Sequence, residues 1–261
     1  MIDTHTHLYM ADSFLDGGET AVDRAVEAGV KMMVLPGVDI ESVEPMIKLH
    51  ERRPANTAVA LGLHPTDVEA DWRRELSDIL SVAKDIDTVA IGETGIDLHW
   101  EQRYLSRQMD AFGEQLQTAL EMNLPVIVHS RDAVEETVEV LKEFGSGLPG
   151  LVFHSFTAGP EEMEKLLEAA PDAFFGINGV ITFKNAKPLK EAVAAMDPAR
   201  IVVETDAPFL APVPYRGSIN ESAYIPYIIK TISELKGIKE EKLKTITTGN
   251  AYRLYPRLSI K

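Results

Sequence analysis

The sequence contains no cysteine among its 261 residues, and this absence limits the chemistry that the chain can perform. Without thiols there are no disulfides, no thiolate ligands for zinc and no cysteine nucleophile, so any bound metal must be coordinated by nitrogen and oxygen. Positive charge is also scarce, since 26 Lys and Arg stand against 41 Asp and Glu, for a net charge of -15. A broad basic face that grips a long nucleic acid is therefore not expected. Short contacts with a polyanion stay open where bound divalent cations supply local positive charge.

Long apolar segments are missing as well. No apolar run approaches the about 18 residues needed to cross a bilayer, and the N-terminal residues lack the basic and then apolar pattern of a signal peptide. We therefore expect no membrane association and a cytoplasmic location. Internal repeats and Gly/Ser-rich linkers are also absent, while 45% of the residues are hydrophobic. This composition is typical of a globular chain and favours one domain over residues 1–261.

Short runs rich in Val, Ile and Phe alternate with longer segments of helical periodicity, which is the pattern of repeated βα units and a parallel sheet. The count of eight strands and the chain length match a (β/α)8 TIM barrel of about 250 residues, although an open doubly wound sheet shares the alternation. The predicted strands are Met1–Leu8, Lys31–Gly37, Thr57–Leu63, Thr88–Glu93, Pro125–His129, Gly150–His154, Ala173–Asn178 and Arg200–Asp206. The predicted helices are Thr20–Ala28, Ile40–Arg53, Glu69–Asp85, Glu101–Asn123, Ala133–Phe144, Glu161–Ala170 and Asn185–Met196, with a last helical region over Glu221–Leu254.

Polar side chains stand at the C-terminal ends of six of these predicted strands. In a barrel those ends surround one mouth, whereas in an open sheet they would be spread along an edge. Five of the seven histidines occupy such positions, which scattered surface histidines would rarely do. We therefore prefer the barrel and predict a functional site at its mouth. The residues at these ends are His5, His7, His64, Glu93, His129, His154, Glu204 and Asp206.

The nature of these side chains predicts a metal site. His5 and His7 are two residues apart, so in a strand both imidazoles would lie on one face and reach the same ion. The pair alone is weak evidence, but the carboxylates and imidazoles at the other strand ends suffice for two divalent ions bridged by Glu93. Such ligands suit Zn²⁺, Mn²⁺ or Mg²⁺ without selecting one. The predicted metal ligands are His5, His7, Glu93, His129, His154 and Asp206.

Three residues are candidates for catalysis. Glu204 and Asp206 repeat the spacing of two, which would place both carboxylates in the mouth. Asp206 would bind a metal and orient its water, while Glu204 would bind a further ion, support a ligand or accept the proton. The sequence is equally consistent with a structural role for Glu204, in which its carboxylate pairs with a nearby Arg or Lys. His64 would contact the substrate or donate a proton. The sequence is nearly as consistent with a structural role for this histidine.

The chain carries eight short motifs in a fixed order. They are Asp3–Leu8 (DTHTHL), Gly62–Pro65 (GLHP), Gly92–Asp97 (GETGID), Val128–Asp132 (VHSRD), Phe153–Phe156 (FHSF), Ile181–Asn185 (ITFKN), Glu204–Leu210 (ETDAPFL) and Pro214–Gly217 (PYRG). With these motifs the sequence resembles, from end to end, the TatD family of metal-dependent hydrolases. This family is related to the amidohydrolases. The resemblance implies a TIM barrel with two, sometimes three, divalent ions at its mouth. It also implies that His5, His7 and Asp206 bind the first ion, that Glu93 bridges, and that His129 and His154 bind the second.

The resemblance defines the kind of metal site more closely than it defines the substrate. Members of the family are mostly described as deoxyribonucleases, including 3′ to 5′ exonucleases on single-stranded DNA, and some TatD-like proteins remove D-amino acids from tRNA. Our first interpretation is a deoxyribonuclease that acts on single-stranded DNA ends. The alternative is a metal-dependent ester or amide hydrolase such as a D-aminoacyl-tRNA deacylase. A third reading, a binding protein whose metals only stabilise the barrel, is disfavoured because no ligand is missing. No obligate protein partner is expected.

Departures from the family pattern fall where the substrate is expected. The loop Pro214–Glu221 carries Ser218 and Ile219 where many relatives have Lys or Arg, so one or two phosphate contacts would be missing. We predict that Arg216 and Lys184 bind the substrate, since either could neutralise a phosphate. A salt bridge within the loop is the alternative role for Arg216.

Overall fold

The computed structural model of the chain describes residues 1–100, 102–144 and 147–258. Eight parallel strands follow one another in chain order, each hydrogen-bonded to the next, and helices lie between them. The (β/α)8 TIM barrel predicted from the sequence is thereby confirmed. The strands are β1 (Ile2–Asp3), β2 (Met32–Pro36), β3 (Thr57–Leu61), β4 (Ala90–Asp97), β5 (Val126–Arg131), β6 (Leu151–Phe153), β7 (Phe174–Ile177) and β8 (Ile201–Val203).

The first and last strands meet at the mouth of the barrel. The backbone N–H of Thr4 donates to the carbonyl of Val203 at 3.1 Å, and the N–H of Asp206 donates to the carbonyl of His5 at 3.0 Å. These bonds nearly close the sheet, and they bring the two ends of the chain that carry predicted ligands side by side.

Each strand is followed by a helix whose apolar face packs on the outside of the barrel. In the first helix, for example, the buried residues Ala21, Val22 and Ala25 share one face because helical side chains repeat every three to four residues. The helices are α1 (Glu19–Glu27), α2 (Ile40–Arg52), α3 (Trp72–Asp85), α4 (Leu105–Met122), α5 (Val134–Phe144), α6 (Pro160–Ala169), α7 (Lys187–Ala195), α8 (Ile225–Lys236) and α9 (Glu240–Leu254). Within the described residues, none of them is both long and apolar enough to span a membrane.

The strands contribute to two apolar clusters. Along β2, Met32 and Val34 belong to the cluster inside the barrel, whereas Met33 and Leu35 belong to the cluster beneath the helices. The alternation is that of a strand with two buried faces. Tyr255, fully buried just after α9, packs with the inner cluster and fills the end of the barrel opposite the mouth. The buried histidines and carboxylates of the predicted site lie at the other end, where the strands finish.

The first and last predicted strands are shorter than expected by four or more residues. The strand over Met1–Leu8 ends at Asp3, and the strand over Arg200–Asp206 ends at Val203. In both cases the chain leaves the sheet before the polar residues, and Asp206 adopts a left-handed backbone conformation with φ 57°. Conversely, β4 was expected to end at Glu93 and continues to Asp97. The prediction of these boundaries was wrong because apolar content, on which it relied, does not follow the hydrogen-bonding pattern.

The predicted helical region over Glu221–Leu254 is divided. Gly237 takes a left-handed conformation with φ 62° after α8, which ends that helix, since such a conformation favours glycine. The predicted helix over Glu101–Asn123 begins at Leu105 as α4, and Glu101 lies outside the described residues. The single domain over residues 1–261, of which 259–261 are also outside the described residues, stays a prediction.

Candidate metal centre

Six of the eight predicted strand-end residues gather around the carboxylate of a seventh, Glu93. Its Oε1 atom lies 2.7 Å from Nε2 of His154 and 2.9 Å from Nδ1 of His129. Its Oε2 atom lies 3.2 Å from Nε2 of His5. Because Glu93 is buried and each of its oxygens faces a different histidine group, the carboxylate is placed to join two ligand sets.

The first ligand set consists of His5, His7 and Asp206. The Nε2 atoms of the two histidines are 3.1 Å apart, and Oδ1 of Asp206 lies 3.5 Å from Nε2 of His7 and 3.7 Å from Nε2 of His5. The histidines meet as the sequence predicts, although not because they alternate along a strand, since β1 ends before them. The chain instead bends at Thr4 and His5, and the N–H of Asp206 donates to the carbonyl of His5.

The hydrogen bonds of His7 fix which nitrogen can bind a metal. Its Nδ1 atom lies 3.2 Å from the carbonyl oxygen of Pro36 and 3.0 Å from the hydroxyl of Tyr9, which itself donates to the same carbonyl at 2.6 Å. Since a carbonyl only accepts, Nδ1 carries the proton and Nε2 presents its lone pair to the centre. Sequence reasoning did not identify Tyr9, although its spacing of two from His7 was visible.

The buried carboxylate of Asp3 connects the first ligand set to the last strand. It accepts hydrogen bonds from the hydroxyls of Thr205 at 2.5 Å and Ser222 at 2.6 Å, and from the backbone N–H of Thr205 at 3.0 Å. Burial raises the pKa of Asp3 to about 7, and these hydrogen bonds oppose the rise. By holding residue 205, Asp3 positions the adjoining Asp206. The sequence analysis gave Asp3 no role.

The second ligand set consists of His129 and His154 with Glu93. β5 reaches past His129, and the backbone N–H of His154 donates to the carbonyl of Val128 at 2.9 Å as β6 ends beside it. Gly95 permits the close approach of β4 and β5, because a Cβ atom there would collide with the backbone carbonyl of His129, and its φ of 136° also favours glycine.

Asp97 orients His129 and is a residue that sequence reasoning missed. Its Oδ2 atom lies 2.9 Å from Nε2 of His129. An ionised carboxylate only accepts, so Nε2 carries the proton, and Nδ1 is the nitrogen left to bind a metal. Asp97 Oδ1 also accepts from the backbone N–H groups of His99 at 2.9 Å and Trp100 at 2.8 Å. The available signal was its position four residues after Glu93, on the same face of one strand.

Glu204 does not face the mouth. Its side chain is 1% exposed, against 15% for Asp206. Its Oε1 atom accepts from the backbone N–H of Ser155 at 2.5 Å and lies 3.4 Å from Nδ1 of His154. Gly176 leaves room for the carboxylate, since a Cβ there would collide with it. The expectation that both acids enter the mouth is corrected for Glu204, because the alternation of side chains no longer applies once β8 ends at Val203.

His64 stands beside Glu93, and its hydrogen bonds differ from those of His7 and His129. It precedes a short 3-10 turn, its Nδ1 accepts from the backbone N–H of Thr66 at 3.2 Å, and its Nε2 lies 3.4 Å from Oε1 of Glu93. An acceptor at Nδ1 places the proton of the neutral ring on Nε2. His64 therefore presents an N–H group to the centre, unlike His7 and His129, which present lone pairs.

Both carboxylates among the predicted ligands are ionised, and one of the histidines is neutral. Burial would raise the pKa of Glu93, but the imidazoles of His154, His5 and His64 outweigh it and hold that pKa well below its usual range. Burial likewise opposes the ionisation of Asp206, yet its pKa is lowered by its hydrogen bond to His7 and by the neighbouring histidines. For His5 burial is the main effect and lowers the pKa, which keeps the ring neutral and able to bind a metal.

The donor atoms form three overlapping groups that could each hold a metal ion, with the ligand atoms of each group within 4.8 Å of one another. Two neutral imidazole nitrogens that face each other at 3.1 Å, as in His5 and His7, are favourable only with a proton or a cation between them. All donors are nitrogen or oxygen, which suits Zn²⁺, Mn²⁺ or Mg²⁺. The residues therefore fit divalent cations. The groups are His5, His7 and Asp206; His5, Glu93 and His154; and His64, Glu93 and His129.

Two of the three predicted substrate contacts, Arg216 and Lys184, lie on exposed loops, whereas the third, His64, stands in the cluster itself. The guanidinium carbon of Arg216 is 4.4 Å from the ring centre of Phe183, and the exposed Lys184 adjoins that ring in sequence. Among the described residues no carboxylate lies within 4 Å of Arg216, so the alternative of a salt bridge within its loop is not supported.

Known proteins resemble this chain over nearly its whole length. The family model described as TatD related DNase matches residues 2–256. The chain belongs to the TatD family of metal-dependent hydrolases. Among relatives, the Bacillus subtilis protein YabD, described as an uncharacterized metal-dependent hydrolase, is 36% identical, and the match covers 98% of both chains. The Salmonella typhimurium protein named 3′-5′ ssDNA/RNA exonuclease TatD is 33% identical, with 94% of this chain and 95% of that protein covered.

A solved structure agrees with this family membership. The crystal structure of YjjV, a TatD homolog from Escherichia coli, superimposes with a TM-score of 0.88 at 27% identity and covers 98% of each chain. The resemblance that the motifs indicated is thus confirmed for this TatD-family protein.

Proposed function

We propose that this TatD-family protein is a metal-dependent phosphodiesterase that removes nucleotides from the 3′ end of single-stranded DNA. The observation that carries the proposal is the convergence of two histidine groups on opposite oxygens of Glu93. A centre of this kind suits in-line displacement at phosphorus, where attacking and leaving oxygens both need stabilisation. The substrate and the direction of attack are supported by the name of the Salmonella typhimurium relative and by the description of the matching family.

Two ions would be held by the residues that surround Glu93. Divalent ions bound there would supply Lewis-acid polarisation of a phosphoryl oxygen and a bound water of lowered pKa. Glu93 would be shared, because each of its oxygens faces one histidine group. The proposed ligands are His5, His7, Asp206 and Glu93 for one ion, and Glu93, His129 and His154 for the other.

Asp206 is the residue proposed to accept the proton of the attacking water. Its carboxylate is ionised, because hydrogen bonding to His7 and the nearby imidazoles outweigh the effect of burial on its pKa. Its side chain keeps some exposure to the mouth, whereas the carboxylate of Glu204 lies behind His154. Glu204 is therefore proposed to position His154 and not to accept the proton.

His64 and the loop cations are proposed to act on the substrate. The Nε2 N–H of His64 faces the centre and would donate a hydrogen bond to the leaving oxygen or to a phosphoryl oxygen, with the proton staying on the ring. Arg216 and Lys184 are exposed on neighbouring loops at the mouth and would bind phosphates further along the strand.

The test is hydrolysis of end-labelled single-stranded DNA by metal-free protein reloaded with Mn²⁺, Mg²⁺ or Zn²⁺. We expect a ladder that shortens from the 3′ end, is abolished in Glu93→Ala and His154→Ala, and persists in His50→Ala. The last variant is a matched control, because His50 lies in α2 and bonds Thr57 away from the centre. Absence of cleavage despite confirmed metal loading would overturn the proposal, and release of D-amino acids from charged tRNA would then identify a deacylase.

A further inference from the structure

The loop after β4 exposes a large aromatic side chain beside the metal centre. Trp100 is 69% exposed, which is unusual for a residue whose burial is strongly favourable. The guanidinium carbon of Arg131, at the end of β5, lies 5.5 Å from the centre of its ring. A flat apolar face with an arginine above it is the arrangement that stacks with bases and pairs with phosphates.

A second aromatic ring with arginines follows four residues later. The guanidinium carbons of Arg107 and Arg103 lie 4.6 Å and 5.3 Å from the centre of the Tyr104 ring. Among the described residues, no carboxylate lies within 4 Å of the guanidinium groups of Arg107 or Arg131. We call this surface the β4–α4 strip, and its residues are Trp100, Arg103, Tyr104, Arg107 and Arg131.

The charge of the strip is unusual for this chain. Three of the 26 basic residues lie together here, although the whole protein carries a net charge of -15. A partner of negative charge would be repelled by most of the surface and attracted to this strip and, once divalent ions are bound, to the mouth.

Asp97 fixes the strip to the metal centre. One oxygen of its carboxylate accepts the backbone N–H of Trp100, and the other lies 2.9 Å from the ring of His129. The turn that exposes Trp100 is therefore held by the same side chain that orients a predicted metal ligand. A base stacked on Trp100 would lie beside the centre in a defined position.

Another cation and aromatic ring stand on the opposite side of the barrel. Strands β4 and β5 lie across the barrel from β8 and β1, and the loops after β7 and β8 carry Phe183 and Arg216. An extended polyanion that crosses the mouth over Glu93 would contact both sides.

We propose that the β4–α4 strip binds the single-stranded part of a polynucleotide, with one base stacked on Trp100 and phosphates paired with Arg131 and Arg107. A single strand is favoured over a duplex because only an unpaired base exposes its face to an aromatic ring. This inference rests on the proposed function, since it specifies how the strand approaches the Glu93 centre.

The binding test uses the intrinsic fluorescence of the protein. Of the two tryptophans, Trp72 is buried and Trp100 is exposed, so a base that stacks on Trp100 should quench the exposed component. The metal-loaded protein is titrated with a short phosphorothioate oligothymidylate, whose linkages resist hydrolysis. We expect quenching and, in Trp100→Ala, affinity weaker by about tenfold, with most of the affinity kept in Trp100→Tyr.

Salt dependence tests the arginines. Arg131→Gln and Arg107→Gln should each lower the slope of log affinity against log salt concentration by about 0.7, because each removes one phosphate contact. Arg253→Gln is the matched control, since that exposed arginine stands 5.1 Å from the Phe174 ring at the opposite end of the barrel. The slope of the control should equal that of the wild type.

The outcomes separate this inference from the proposed function. The metal content of Trp100→Ala should equal that of the wild type, because only the backbone N–H of Trp100, and not its side chain, bonds to Asp97. Undiminished oligonucleotide affinity in Trp100→Ala, or tighter binding of duplex than of single strand, would overturn the strip while leaving phosphodiesterase activity in place. Wild-type protein whose fluorescence is quenched on binding, but which cleaves neither unmodified single-stranded DNA nor the small diester bis(p-nitrophenyl) phosphate, would refute the proposed function and leave the strip supported.

Discussion

The substitution Asp97→Asn tests whether the environment of His129 was interpreted correctly. The oxygen of asparagine can replace the oxygen of Asp97 that accepts from the backbone N–H groups of His99 and Trp100. The amide NH₂ then points at Nε2 of His129, which lies 2.9 Å from the present carboxylate oxygen. Two donors would face each other, so the ring of His129 would favour the tautomer with its proton on Nδ1, the atom that faces Glu93.

The expected effect falls on metal affinity more than on folding. Replacing a carboxylate that orients a histidine ligand typically costs 10- to 100-fold in metal affinity or activity. That range corresponds to about 1.4 to 2.8 kcal/mol in the binding free energy of the ion held by His129. The free energy of unfolding without metal should fall by only about 1 kcal/mol, which for a chain of this size lowers Tm by about 2–4 °C.

Isothermal titration of the metal-free protein with Zn²⁺ measures this effect directly, and the control is Asp197→Asn. Asp197 caps a short turn at the far end of the barrel by accepting the backbone N–H of Ala199 at 2.8 Å. The control should bind metal like the wild type. If the affinity of Asp97→Asn for its second ion is also within about twofold of the wild-type affinity, metal binding by His129 does not depend on Asp97. The tautomer assignment is then refuted.

Three further predictions concern stability and substrate binding. Gln115→Leu should lower the free energy of unfolding by about 2–4 kcal/mol in urea denaturation, because the buried amide bonds both the N–H and the C=O of Leu63; an unchanged midpoint would contradict this. Gly176→Ala should cost about 1–3 kcal/mol and reduce metal content by displacing the Glu204 carboxylate, which thermal denaturation and metal analysis would check. Arg216→Gln should raise KM for single-stranded DNA by about fivefold with little change in kcat, and an equal rise for bis(p-nitrophenyl) phosphate would argue against a remote phosphate contact.

The alternation of apolar runs and helical periodicity was sufficient to predict the barrel, whereas the ends of its strands were not predictable in this way. The residues that follow β1 and β8 have the sequence pattern of a strand. They leave the sheet because of their hydrogen bonds and, after β8, because of the left-handed backbone of Asp206. The approach of His5 to His7 was therefore predicted correctly from an incorrect local geometry. The division of the last helical region depends on the conformation of Gly237, which a helical pattern does not reveal.

Residue types and their positions at strand ends predicted which side chains meet, but not how each is oriented. Asp97 and His129 are 32 residues apart, and their contact depends on the register of β4 against β5. The spacing of two from Asp206 predicts that Glu204 lies in the mouth, yet in the structure its carboxylate lies behind His154. Partners of this kind become visible only when the strands are positioned in space.

The most direct test of the central interpretation is the number of metal ions held by each chain, with and without Glu93. Metal-free protein would be reloaded with Zn²⁺ or Mn²⁺, dialysed and analysed by mass spectrometry of the metals, with activity on single-stranded DNA measured in parallel. If Glu93 joins two ligand groups, wild-type protein should retain about two ions per chain and Glu93→Gln at most about one, with activity lost. Two ions and full activity in Glu93→Gln would contradict the shared role of this carboxylate.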